Sequence, residues 1–127
     1  MSDAAHRRHT SPAPPLQVVT ALRAALKTRG LVEYAVVDHG HDMRQVGAPG
    51  FEAWTLIFGS PAAGARLLAR DLEAAVDIPL RLAVIAAPSG GSTIVARDMR
   101  TLLPASLGEV ADGFNHVLDE LAAEALR

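Results

Sequence analysis

From Pro15 onward, Leu16, Val19, Leu22, Ala25 and Leu26 recur three and four residues apart, the spacing of one helix face. Pro15 suits a first helical turn, and Gly30 suits the left-handed stop after a last one, with Leu31 in apolar contact. The spacing predicts a helix from about Pro15 to Arg29. Leu31 to Asp38 (LVEYAVVD) then changes to a short β-branched run, a strand. His39 to Phe51, with Gly40, Gly47, Pro49 and Gly50, reads as a loop. Ala53 to Phe58 (AWTLIF) is a second strand, apolar on both faces and therefore central.

Ser60 and Pro61 start a second helix as N-cap and first residue. The stripe Leu67, Leu68, Leu72, Ala75 and Val76 carries it to about Val76, where Asp77-Ile78-Pro79 turns the chain. A cis bond before Pro79 is an option in such a corner. Arg81 to Ala87 and Ser92 to Ala96, joined by Pro88-Ser89-Gly90-Gly91, form a hairpin. Ser106 and Glu109 have the spacing of a capping box, and Leu107, Val110, Ala111, Phe114, Val117, Leu118 and Leu121 mark a final amphipathic helix over 105–126.

Helix, two strands, helix, two strands, helix is the order of an α+β two-layer sandwich, a four- or five-stranded sheet with helices packed on one face. The strand–helix–strand passage from Ala53 to Ala87 allows a parallel crossover among other placements. Residues 1–15 are an N-terminal segment, and 16–127 form a single α+β domain. The strands alternate little between apolar and polar, so the uncovered face would be apolar, and a homodimer would cover it.

Composition narrows the classes. The chain has 127 residues, 50% hydrophobic and 20% charged, enough for one core. Lys+Arg 12 against Asp+Glu 14 gives −2, without the basic excess of a nucleic-acid binder. Cysteine is absent, which removes thiolate chemistry and cysteine-held metals. No apolar run approaches a membrane span, and the first fifteen residues carry no apolar signal core. The expected location is cytoplasmic.

Val37-Asp38-His39, Leu56-Ile57-Phe58-Gly59-Ser60-Pro61 with Gly64, and Asp77-Ile78-Pro79-Leu80-Arg81 resemble three ordered motifs of the bacterial domain-of-unknown-function family 302. The resemblance covers about 8–103. It implies an α+β fold, a dimer and no established activity, and it turns His6 to Ser11 from a tail into a short edge strand. The chain departs from the family at Ser60 (for Asn), Ala62 (for Lys), Gly64-Ala65 (for Gly-Thr) and Ala96-Arg97-Asp98-Met99, which lacks the family's tyrosine. A ligand held through those groups would be held differently here.

The candidate ligand-binding residues are Asp38, His39, Gly59, Ser60 and Gly64, taken to converge on a pocket for a small anionic ligand. The turn at Gly59-Ser60 opens a helix whose free N–H groups favour anions, with Arg66 nearby; simple capping by Ser60 is the plainer reading. An extended Asp38-His39-Gly40-His41-Asp42 would point both imidazoles one way, as a metal site needs, whereas a plain strand end would use Asp38 on backbone N–H groups. Asp112, His116 and Glu120 read as a solvated helix face, Arg97 with Asp98 as a surface pair, and Trp54, Tyr34 and the three Phe as core. No cofactor is implied and no catalytic set emerges. The alternatives are a metal-dependent enzyme on Asp38 and His39, and a protein–protein interaction module.

Overall fold

The computed structural model describes residues 5–126. Strands β1 (His6–Ser11), β2 (Val32–Asp38), β3 (Ala53–Gly59), β4 (Leu80–Ala86) and β5 (Ser92–Arg97) form one sheet in the order β1-β5-β4-β3-β2, antiparallel throughout. His6–Ser11 is the edge strand that the family resemblance implies. It zips onto β5 from His6 opposite Arg97 to Ser11 opposite Ser92. At the β4–β5 turn, Gly91 has φ +76°, and a Cβ there would collide with the Ser11 carbonyl, so only glycine fits.

Alternation along the strands assigns the faces. Leu56 and Phe58 of β3, Leu82 and Val84 of β4, and Ile94 and Ala96 of β5 are buried on one face. Helices α1 (Pro15–Thr28) and α4 (Gly108–Ala125) complete that layer with Val18, Leu22, Leu26, Ala111, Leu118 and Leu121. Each such leucine contributes about 1.5–3 kcal/mol relative to exposure. The result is a two-layer α+β sandwich with its core between one sheet face and two helices.

Polar groups fasten the layers. Arg7 and His9, on the helix side of β1, both reach Asp119 of α4, at 3.2 Å from Arg7 Nε and His9 Nε2. Burial raises the Asp119 carboxyl, but hydrogen bonds from Arg7 and His9 outweigh it and leave the group below its ordinary value. Buried Asn115 accepts from the Met99 N–H at 2.9 Å and donates to Asp98 at 2.8 Å. That bond, with the Arg100 N–H, holds the Asp98 carboxyl low.

Several expectations change. His39–Gln45 is a seven-residue helix, α2, because Asp38 Oδ1 accepts from the His41 N–H at 3.0 Å and starts a turn where the glycines suggested a loop. The second predicted helix is broken. Helix α3 spans Pro61–Arg70, Asp71 leaves helical geometry, and its side chain accepts from the Glu73 N–H to start a 3-10 turn over Leu72–Val76. The break rotates the apolar stripe outward, leaving Leu72 75% and Val76 84% exposed.

Ser106 lies inside a further 3-10 turn, Ala105–Leu107, so the helix begins at Gly108 and no capping box forms. Asp98 turns inward to Asn115 and makes no pair with Arg97. Tyr34 and Phe51 are exposed and lie outside the core. Phe58 opposite Leu80 closes the β3–β4 register as antiparallel, so α3 is an excursion at one sheet end and not a crossover. The Ile78–Pro79 bond is cis. Residues 1–4 of the predicted N-terminal segment lie outside the described residues.

Candidate functional site

Hairpin register separates the predicted site residues. Val32 pairs with Gly59 and Asp38 with Trp54. Asp38 is therefore five residues along β3 from Gly59, roughly 17 Å at about 3.3 Å per residue. The expected convergence of Asp38 and His39 with Gly59, Ser60 and Gly64 does not occur. They stand at opposite ends of the β2–β3 hairpin.

Asp38 is occupied as the cap of α2. His39 Nε2 is hydrogen-bonded to Thr55 Oγ1 at 2.7 Å, so the imidazole lies over the uncovered sheet face. Helical geometry from His39 onward removes the extended arrangement that would have aligned His39 and His41. Among the described residues no group of three His, Asp or Glu side chains is placed to hold one metal ion. Of the other acidic and imidazole groups, Asp112 pairs with Arg100, and His116 with Glu120 at 3.3 Å.

The other half of the predicted set borders real concavity. Helix α3 buries one residue completely, Leu67. Of the rest, half-buried Leu68 packs against the core, and a cleft remains on each side of the helix. The first, about 460 Å³, runs between α3 and α4. Its floor is Leu31, Phe58 and Leu80; its walls are Ala63 and Leu67 of α3 and Val110, Gly113 and Val117 of α4; Arg66, Arg70 and Glu109 line its rim. The second, also about 460 Å³, lies between α3 and the corner at Ile78 and Pro79, beside Tyr34 and Gly64. Gly59, Ser60, Leu80 and Phe114 line both. Each cleft is of the size that holds a small organic molecule, about 300–1,000 Å³.

Ser60 performs the capping role: its Oγ accepts from the Ala63 N–H at 3.2 Å, and its carbonyl from the Gly64 N–H at 2.9 Å. Glycine inside a helix costs about 0.5–1 kcal/mol relative to alanine. Nevertheless Gly64 of α3 and Gly113 of α4 each line a cleft, and a Cβ at Gly113 would meet nothing within 4 Å. These positions keep the clefts wide. Phe114, Val110, Val117 and Leu31 read as core or strand residues in the sequence, and Leu80 as part of a corner. Gly113, interrupting their stripe, was the available signal for a gap.

The sheet face away from α1 and α4 is a second feature. One row across it reads Val37, Thr55, Ala83, Val95 and Arg8; the next has Ala53, Ile85, Thr93 and Thr10. Ile57 and Ala35 extend it. The His39 imidazole lies against this face at Thr55; Val37, Ala53, Ile57, Ala83 and Val95 are half-buried, and Ile85, Val46 and Phe51 are exposed. Arg81 and Arg97 lie toward the end where β3 leaves the sheet, beside a 220 Å³ hollow.

Comparison with known proteins gives three findings. The sequence matches the family model "Domain of unknown function DUF302" over residues 7–126, a span that includes the final helix. No curated protein matches it. A crystal structure of an uncharacterized conserved DUF302 protein from Bacillus stearothermophilus superimposes with a TM-score of 0.82 at 18% identity, covering 98% of this chain and 97% of the other. At that identity the likeness is one of fold.

Proposed function

This chain belongs to the DUF302 family, and from that footing we propose that it is a cytoplasmic, homodimeric domain that binds a small ligand beside α3. The observation that carries the reading is the pair of apolar-floored clefts meeting at Gly59 and Ser60. Of the expected ligand residues, Gly59, Ser60 and Gly64 belong to this proposed site. His39 lies against Thr55 on the proposed dimer face, and Asp38 caps α2 and belongs to neither site. The family has no established activity. The proposed role is binding without catalysis.

The dimer part of the reading rests on the uncovered sheet face. Leaving Ile57, Val37, Val95 and Ile85 to water is unfavourable, and an isologous contact between two copies would remove them from it. No helix among the described residues is long and apolar enough to cross a membrane.

Native mass spectrometry on untagged protein tests both parts. The expected result is a dimer that retains organic ligand, becomes monomeric with Ile57→Asp, and loses the ligand with Gly113→Phe. A wild-type monomer overturns the dimer. Ligand retained equally by Gly113→Phe overturns the cleft assignment.

A further inference from the structure

The cleft between α3 and α4 differs from its neighbour in its rim. Arg66 and Arg70 are four residues apart, hence on one face of α3, and both are exposed at the cleft mouth. Among the described residues neither has a carboxylate within ion-pair distance. The one contact of either is a long bond, 3.5 Å, from Arg70 to the Ser106 carbonyl. Arg7, Arg23, Arg29 and Arg100 have acidic partners; Arg66 and Arg70, like Arg8, Arg44, Arg81 and Arg97, have none among the described residues, and they are the two of that group that line this cleft. Below them the cleft is hydrocarbon: Phe58, Leu67, Leu80, Val110 and Val117. Glu109 at the start of α4 is the one acidic group on the rim.

Resting on the ligand-binding reading above, we infer that this cleft takes an amphipathic monocarboxylate, its chain between α3 and α4 and its carboxylate at Arg66 and Arg70. An apolar floor gains from burying a chain but cannot orient it. Two unpaired guanidiniums at one end supply the orientation, because they bind carboxylates through directional, charge-assisted bonds. Two cations and one carboxylate leave a net single positive charge at the mouth. A monoanion brings that mouth to neutrality, whereas a dianionic phosphate leaves one charge uncompensated and costs more to desolvate.

The test is calorimetric titration of the full chain with octanoate, octanol and octyl phosphate, for the wild type, the Arg66→Gln/Arg70→Gln double variant, Glu109→Gln and Gly113→Phe. Both arginines are exposed, so the double variant should fold. Octanoate is expected to bind more tightly than octanol. The double variant should weaken octanoate about tenfold, the order expected of two exposed charge pairs, and leave octanol within about twofold. Glu109→Gln should strengthen octanoate, and Gly113→Phe should abolish binding of both. Octanol and octanoate binding alike, with the double variant inert, would overturn the monocarboxylate and spare the cleft. Octyl phosphate binding most tightly would overturn the monoanion. Failure of all three to bind, or binding untouched by Gly113→Phe, would overturn the cleft reading itself.

Discussion

Helices α1 and α3 each begin at a proline after an extended residue, yet they do different work. Helix α1 lies along the sheet and buries Pro15, Val18, Val19, Leu22, Ala25 and Leu26. Helix α3 buries Leu67. The difference follows from connection geometry. Helix α1 joins one edge strand to the other and must cross the sheet face. Helix α3 joins the paired neighbours β3 and β4, with Phe58 opposite Leu80, and needs only to leave the sheet end and return. A helix with that freedom can stand off the core, and the clefts are the space it leaves.

Truncating the two central leucines should expose the contrast most strongly. Leu22→Ala is expected to cost about 3–4 kcal/mol and Leu67→Ala about 2 kcal/mol, because the wall of an open cleft relaxes more easily than a closed core. Chemical denaturation measures both; equal losses would break the comparison. Next in size, Gly113→Ala should stabilise by about 0.5–1 kcal/mol, since it removes a helix-interior glycine into open space. A loss of stability would show that the wall is packed.

Smaller again, Leu72→Ser and Val76→Ser, at residues exposed after the Asp71 break, should each change stability by less than about 0.5 kcal/mol. A cost above that would show that these two side chains are packed, as Ala74 of the same turn is. The acid limb comes last. Asp119 has its carboxyl held low between Arg7 and His9. Its contribution is therefore present above the unfolded carboxylate value and disappears as pH falls from about 4 downward through the folded value. Asp119→Asn should flatten that limb of the stability curve and change little at high salt, since the group is half-exposed.

Periodicity was enough to read α1, β2 to β5 and α4, because these elements bury a face and burial selects for pattern. It failed where local hydrogen bonds decide the backbone. Asp38 starts a helix across glycines, and Asp71 ends one in the middle of an apolar stripe; Leu72 and Val76 keep the helical spacing without burial. Gly59, Ser60 and Gly64 were legible as a strand-to-helix turn from the Ser60 cap and Pro61, and the family motif marked them as a group. Their separation from Asp38 and His39 was not, because a motif carries order along the chain and no register between strands. The cleft itself is formed by residues that resemble core in every local respect. Phe114 and Val117 have the right period, and only the path of α3 decides that they face a gap.

The most direct measurement is amide hydrogen exchange along α1, α3 and α4, with and without octanoate. Few buried contacts predict that α3 opens more readily than the helices that carry the core. The account predicts faster exchange in α3 than in α1 and α4, slowing toward theirs when octanoate is added. Exchange in α3 as slow as in α1, or unchanged by octanoate, would contradict it.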